Sequence, residues 1–243
     1  MKKALAGVCV ACLASSAYAA EPLRVAVGSS QTMPMMQFYR GEPNAGIVHD
    51  IVHALGIALN RPLAFVVLPR ARIELAVLDG EADLTCYTNP KWVRKPERFE
   101  WSPPLFPVQD VLFGHASVPR PADVTAIPQG TRVGAARGYV FPVLADRFAD
   151  LRLVREDADD NEKVLLKVSA GRTPYAVANR FALDWYRRTV RAHAIGDWAI
   201  EVQREDFQCS LPKGGREDPA PIFAALDRLK REGRLEAILK KSR

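Results

Sequence analysis

The sequence predicts an α/β protein of two lobes, each a mostly parallel sheet flanked by helices. Three observations carry this. A strand–helix–strand–helix–strand alternation runs over residues 23–87, it returns over 131–190, and the polar, Pro-rich segment 115–130 (HASVPRPADVTAIPQG) separates the two. The chain has 243 residues, enough for one large domain or for two lobes of about 100 residues each.

The elements follow in order. LRVAV, 23–27, is a strand closed by the turn-prone Gly28-Ser29-Ser30, and 31–45 is a loop rich in Met, Pro and Gly. From Gly46 to Leu59, apolar residues at Ile47, Ile51, Ala54, Leu55 and Ala58 keep helical spacing, and Asn60-Arg61-Pro62 stops the helix. LAFVVL, 63–68, is a continuous apolar run that suits a strand buried on both faces. A helix over 72–78 ends at Asp79-Gly80, and a third strand runs from Ala82 to Tyr87. Gln109 to Phe113 is a further strand. In the second half, strands are expected at 131–135, 151–154 and 175–178. Helices are expected at 140–148 with Pro142 in the first turn, at 160–170 ended by Gly171, and at 180–190. Two short strands, 198–202 and 207–211, and two helices, 221–230 and 235–240, complete the chain.

Composition narrows the function. Apolar residues make up 48% and charged residues 26%, which excludes disorder over most of the length. MKKALAGVCVACLASSAYAA pairs two lysines with a short apolar run and an Ala17-Tyr18-Ala19 cleavage pattern, so residues 1–20 read as a secretory signal peptide. The run is too short for a membrane span, and Cys9-Val10 fits a lipoprotein signal poorly. Its removal takes two lysines and lowers the formal charge from +6 to +4. The basic residues are spread out and no stacking aromatics accompany them, so no nucleic-acid partner is expected. A mildly basic surface favours anionic ligands. Cleavage leaves Cys86 and Cys209; in an oxidising compartment they form either one disulfide or two separate buried thiols.

HDIVH, 49–53, spaces two histidines as zinc proteases do. It lacks the Glu of that motif, and a third ligand would have to come from His115, His193 or a distant carboxylate, so no metal site is assigned. There is no nucleophile elbow, P-loop or dinucleotide fingerprint. No catalytic residue and no cofactor are assigned.

The order LRVAVGSS, a Gly-started helix holding Asp50, LDGEADLT, FEWSPPLF, TRVGAARGYV and SAGRTPYAVAN resembles the extracellular solute-binding proteins of family 3, known as amino-acid receptors of ABC importers. The likeness runs over essentially the whole mature chain. It implies a two-lobe periplasmic binding protein fold of type II joined by two crossing strands, with lobe I at 21–112 plus 207–243 and lobe II at 113–206. It also implies a monomer in the periplasm that holds a small-molecule ligand between its lobes and serves the membrane subunits of an ABC importer. It places the strand around Cys209 beside the strand carrying Cys86, within reach of a disulfide.

In open parallel sheets ligands lie beyond the carboxyl ends of the strands. Tyr87, Thr88 and Asn89 sit at such an end, as a cleft wall or as an ordinary turn. Arg70 and Arg72 follow the second strand, with salt bridges to Glu74, Asp83 or Asp50 as the alternative. Phe38, Tyr39 and Trp92 are candidate apolar walls, with core packing as the alternative. Family members bind the ligand carboxylate with an Arg soon after the third strand. Arg94 is the nearest counterpart, with Lys91, Lys95 and Arg98 competing. Where the family has an Asp for the ligand's amino group, this chain has Asn179, which carries no charge and argues against a standard α-amino acid. Gly138 and Tyr139 stand where the family often has Ser or Thr. A cleft enzyme resembling the cyclohexadienyl dehydratases is the second reading, for which Glu100, Asp110 and Glu162 offer no assignable acid. A periplasmic sensor or accessory protein is the third.

Overall fold

The computed structural model describes residues 21–190 and 194–241. The expected signal peptide and His193 lie outside the described residues. In chain order the strands and helices are β1 (Leu23–Gly28), β2 (Gln37–Tyr39), β3 (Glu42–Ala45), α1 (Ile47–Leu59), β4 (Leu63–Leu68), α2 (Arg70–Leu78), β5 (Leu84–Thr88), β6 (Phe99–Trp101), β7 (Phe106–Gly114), β8 (Thr131–Ala136), α3 (Ala145–Ala149), β9 (Leu153–Ala158), α4 (Asn161–Ser169), β10 (Tyr175–Asn179), α5 (Arg180–Thr189), β11 (Ile200–Pro212), α6 (Pro219–Arg231) and α7 (Arg234–Lys241).

The strands line up in the order β4-β1-β5-β11-β7-β10-β8-β9, with β6 pairing the end of β11. In one half, β1 lies parallel to both β4 and β5, and β11 returns antiparallel to β5. In the other half, β8 is parallel to β9 and β10, and β7 runs antiparallel to β10. The halves are joined where β7 and β11 pair antiparallel from Phe106–Phe207 to Leu112–Ile200.

Strand alternation explains the layers. In β1, Leu23, Val25 and Val27 enter a core with Ile47, Ile51 and Leu55 of α1 and Ile222 and Leu226 of α6. Ala26, between them, faces the opposite side and packs with Ile73 and Val77 of α2. The second half repeats this. Val111 and Phe113 of β7 join Val164 and Leu183 of α4 and α5, while Leu112 packs on the other face with Phe141 and Leu144.

Besides the unexpected short strand β6, three elements differ from the sequence expectation. The loop 31–45 contains the β2–β3 hairpin, which forms its own two-stranded sheet. The expected helix 140–148 shortens to a 3-10 turn at Pro142–Leu144 and α3. The two expected strands at 198–202 and 207–211 are parts of the single strand β11. Its middle, Arg204-Glu205-Asp206, is polar because it pairs with β7 along an edge that both lobes leave partly open.

Cys86 and Cys209 are register partners on β5 and β11 and form a disulfide across a sequence separation of 123 residues. A loop of that length is worth about 4–5 kcal/mol in the chain-entropy account, and removal of native disulfides costs about 2–5 kcal/mol. Replacing both cysteines by Ala is therefore expected to lower the urea midpoint by an amount equivalent to about 2–5 kcal/mol. An unchanged midpoint would show that the cross-link adds nothing.

Candidate functional site

The carboxyl ends of β4, β5 and β8 converge on the seam between the two halves. Arg70 opens α2 directly after β4, Tyr87 precedes the last residue of β5, and Tyr139 follows β8. With Trp92, Val140 and Asp110 of β7 they enclose a cavity of about 20 Å³, room for one water. A ligand the size of an amino acid needs the lobes further apart than they stand here. Close contact at the seam is visible at Gly138, whose φ is +78° and where an added Cβ would lie 3.4 Å from Arg70 Cβ.

Two β-bulges aim the side chains. Thr88 pairs with Gln208 and Cys86 with Cys209, so Tyr87 between them has no partner on β11. It takes a left-handed backbone, φ 66°, which is costly for a bulky residue and is concentrated at functional sites. Its ring packs against Trp92 at 6.0 Å and Phe207 at 5.5 Å. On β11 the register shifts between Glu201 and Gln203, and Gln203 comes to lie opposite Asp110. Gln203 Nε2 donates to Asp110 Oδ2 at 2.9 Å. Tyr139 is positioned by Arg155, whose Nη2 donates to the carbonyls of Ala136 and Tyr139.

The electrostatics are unusual for both charges in the cavity. Among the described residues, no carboxylate lies within 4 Å of the Arg70 guanidinium and no basic group lies within 4 Å of Asp110. Desolvation pulls the Arg70 pKa below its usual value. Burial pushes the Asp110 carboxyl up to about 6, against the Gln203 hydrogen bond, with Glu205 adding to the rise. Burial also raises the Tyr87 phenol well above its ordinary value and the Tyr139 phenol to about 12. Asn179 and Ser30 approach these two phenols, yet Asn179 Nδ2 and Ser30 Oγ are buried without a partner in hydrogen-bond geometry. Thr88 Oγ1, Trp92 Nε1 and Gln203 Oε1 are in the same condition. Buried polar atoms are nearly always paired in native proteins, so this cluster stands out as the candidate site.

The candidates from the sequence separate into three groups. Arg70, Tyr87, Trp92 and Tyr139 line the cavity. Thr88, Gly138 and Asn179 border it. Asn179 Oδ1 caps α5 by accepting from Phe181 N–H and its free Nδ2 is the part left over. The others are placed elsewhere or already engaged. Asn89 accepts from Lys91 N–H and donates to the Asp206 carbonyl. Arg72 pairs with Glu81 at 3.5 Å. Phe38 packs on the first core, and Tyr39 is exposed beneath Arg40. The basic side chains of the loop after β5 do not line the cavity, although its Trp92 does. The Glu74 carboxylate accepts from the Arg94 and Lys95 backbone N–H groups, Lys91 pairs with Glu205 at 2.8 Å, and the Arg94, Lys95 and Arg98 residues are exposed. Asp110, which the sequence did not distinguish from other acids, is the carboxylate that does line it. Its only sequence signal is an acid, beside Gln109, inside the largely apolar strand FPVQDVLFG. His49 and His53 stack on α1 at 5.9 Å, and among the described residues no group of three or more His, Cys, Asp or Glu is arranged to hold a metal.

No family model matches the chain. A membrane-bound lytic murein transglycosylase F from Shewanella halifaxensis (strain HAW-EB4) is 25% identical over 171 residues, which is 69% of this chain and 36% of that protein. The chain thus spans little more than a third of that relative. Solved structures match over nearly the whole chain. An ancestral arginine-binding protein bound to arginine superposes with a TM-score of 0.76 at 18% identity, covering 91% of this chain and 97% of the other. A histidine kinase sensor domain with similarity to periplasmic binding proteins gives 0.75 at 20% identity, covering 91% and 95%. An ancestral amino-acid-binding protein, a precursor of cyclohexadienyl dehydratase, gives 0.72 at 18%, covering 91% and 94%. The chain has the two-lobe fold of the periplasmic binding proteins.

The Asp110 shift has a thermodynamic consequence. Its folded pKa of about 6 lies above the ordinary 3.8, so between those values the folded state holds more protons than the unfolded one. Stability therefore falls as pH rises through that window, by up to about 3 kcal/mol. Asp110→Asn is expected to remove this fall in urea unfolding measured from pH 4 to 8. Parallel profiles for the two proteins would exclude a buried, proton-holding Asp110.

Proposed function

We propose that this chain is a periplasmic solute-binding protein that captures a small polar or anionic ligand between its lobes and delivers it to an ABC importer. The observation that carries the reading is the interlobe cavity in which, among the described residues, Arg70 has no carboxylate partner while buried polar atoms around it are unpaired. A planar guanidinium without a partner suits a ligand carboxylate or another flat anion bound through two hydrogen bonds. Tyr87, Trp92 and Tyr139 supply flat walls, and Asn179 Nδ2 and Trp92 Nε1 supply further donors. Asp110 adds an acceptor, so a ligand that also carries a donor or an ammonium group is matched at both ends. The lobes at 21–112 plus 207–243 and at 113–206 act as the closing bodies, with β7 and β11 as the hinge. The residue 1–20 leader directs the protein to the periplasm as a monomer, and no cofactor is required.

One observation favours a second reading. An acid whose pKa lies near 6, enclosed beside an anion-binding Arg, is placed to protonate a leaving group, as an elimination in the manner of the cyclohexadienyl dehydratases requires. Turnover of prephenate or arogenate, lost in Asp110→Asn, would establish that reading and displace the pure binder.

A thermal-shift screen of amino acids, polyamines, sugars and organic acids tests the first reading. At least one compound bearing a carboxylate is expected to raise the melting temperature, and Arg70→Ala is expected to weaken its binding about thirtyfold or more. A ligand bound equally well by Arg70→Ala would remove Arg70 from the site.

A further inference from the structure

On the other face of the crossing strands from the Arg70 cavity, α5 and the strands β7 and β11 border a groove of about 690 Å³. That is within the range of sites for small molecules. Strand register places it. Gln109 of β7 pairs with Arg204 of β11, and the next pair is Asp110 with Gln203. Successive side chains of a strand point to opposite faces, so Gln109 and Arg204 line the groove while Asp110 lines the cavity. Asn179, the residue before α5, pairs with Asp110, so α5 starts beside this crossing. Pro107 and Phe181 supply the apolar lining, and Phe181 stands edge-on to Phe106 at 6.3 Å.

The charged lining is mostly arginine. Arg180, Arg187 and Arg188 come from α5 and Arg204 from β11, with Asp184 as the carboxylate among them. The spacings i, i+4, i+7 and i+8 put the four charged residues of α5 on one stripe, and Arg188 lies about 12 Å beyond Arg180 along the axis. Arg180 pairs with Asp184 at 3.0 Å. Arg204 stands 3.9 Å from Glu201, whose carboxylate also accepts from Gln109 Nε2 at 2.7 Å. Four guanidinium groups thus meet two carboxylates. Arg187 Nη2 donates to the carbonyls of Gly196 and Trp198. Among the described residues, no carboxylate lies within 4 Å of the Arg187 guanidinium. Burial lowers its pKa; Asp184 and Asp197 oppose the fall and the like charge of Arg180 adds to it. Arg188 stands 5.7 Å over the Trp185 ring. The helix dipole favours Arg187 and Arg188 in the last turn of α5, but it disfavours Arg180 at the first position and does not act on Arg204. Ordinary helix electrostatics therefore explains only half of the cluster.

We propose that this groove binds a linear anion of two or more linked phosphoryl groups, with Arg180 and Arg204 at one end and Arg187 and Arg188 at the other. A guanidinium meets phosphoryl oxygens through paired hydrogen bonds. Two arginines at each end of a stripe about 12 Å long suit a chain of anionic groups better than a single phosphate. The bound anion offsets the repulsion among the four like charges. It contacts α5 and both crossing strands at once, on the face opposite the Arg70 cavity.

The test is calorimetric titration of the purified protein with tripolyphosphate in 0.15 M salt, with orthophosphate as the single-centre comparison. Tripolyphosphate is expected to bind saturably, with orthophosphate at least about tenfold weaker. Arg204→Ala, at an exposed position of β11, is expected to weaken tripolyphosphate about tenfold without lowering the melting temperature. Lys241→Ala removes one positive charge from an exposed position of α7 and is expected to leave binding unchanged, which separates the groove from general attraction to a basic protein. Arg70→Ala is also expected to leave it unchanged, so this site and the interlobe site fail independently. The proposal is overturned by absence of saturable binding, by equal binding of orthophosphate, by equal losses in Lys241→Ala and Arg204→Ala, or by loss in Arg70→Ala with retention in Arg204→Ala.

Discussion

The structure depends on the antiparallel pairing of β7 with β11. These strands carry the chain from one half to the other and back, and their hydrogen bonds tie the lobes together along that crossing. A regular ladder would simply continue the alternation of one lobe into the next. The register shift between Glu201 and Gln203 interrupts it where the halves meet and sets Gln203 against Asp110. A bulge bends and twists its strand, and here the bend falls beside the cavity. Two paired crossing strands permit bending and twisting between lobes while excluding free rotation, which is the mechanical requirement for closure on a ligand.

The same chain shows what a satisfied buried acid looks like, and the contrast sets Asp110 apart. Asp83 is 4% exposed. Its carboxylate accepts from Arg24 side-chain and backbone N–H and from Arg216. Burial works to raise its pKa, but these hydrogen bonds outweigh it and hold the carboxyl below its usual value. That network ties β1 to the start of β5 and to the segment before α6, and it is structural. Asp110 is equally buried but receives one amide hydrogen bond, and its carboxyl is driven up. Among the described residues Arg70 has no carboxylate within ion-pair distance, whereas Arg24, Arg61 and Arg216 each have at least one. Leaving charges desolvated without partners costs stability. On the proposed reading, a ligand that pairs with them would recover that cost on binding, which is the differential contact that closure needs.

Most of the fold was legible because its signals are local. Strand alternation in LRVAV, the helical spacing of 46–59 and the repeated strand–helix order all reflect burial of single elements against a sheet. The β2–β3 hairpin was not legible because QFY and EPNA are mostly exposed and carry no apolar alternation. β11 read as two strands because Arg204-Glu205-Asp206 breaks the apolar pattern at a place where the partner strand, not a core, supplies the pairing. The candidate site was half legible. Arg70, Tyr87 and Tyr139 were visible from their positions after strands. The choice of Arg70 over Arg94 was not, since it rests on Glu74 holding the backbone of the basic loop against α2. Asn179 was seen as a lost charge. What its own strand cannot show is that its register partner on β7 is Asp110, which returns an acid to the same edge.

The central claim is that ligand captured at Arg70 and Asp110 brings the lobes together, and an interlobe distance tests it most directly. Ile57 in the first half and Leu151 in the second are both exposed, at 66% and 70%, and accept spin labels without touching the seam. Pulsed dipolar spectroscopy on the doubly labelled protein should give a broad distance distribution without ligand. With the compound that raises the melting temperature, that distribution should become narrower and centred at one value, and it should stay broad in Arg70→Ala. A distribution unchanged by saturating ligand, or narrowed equally in the Arg70 variant, would contradict the account.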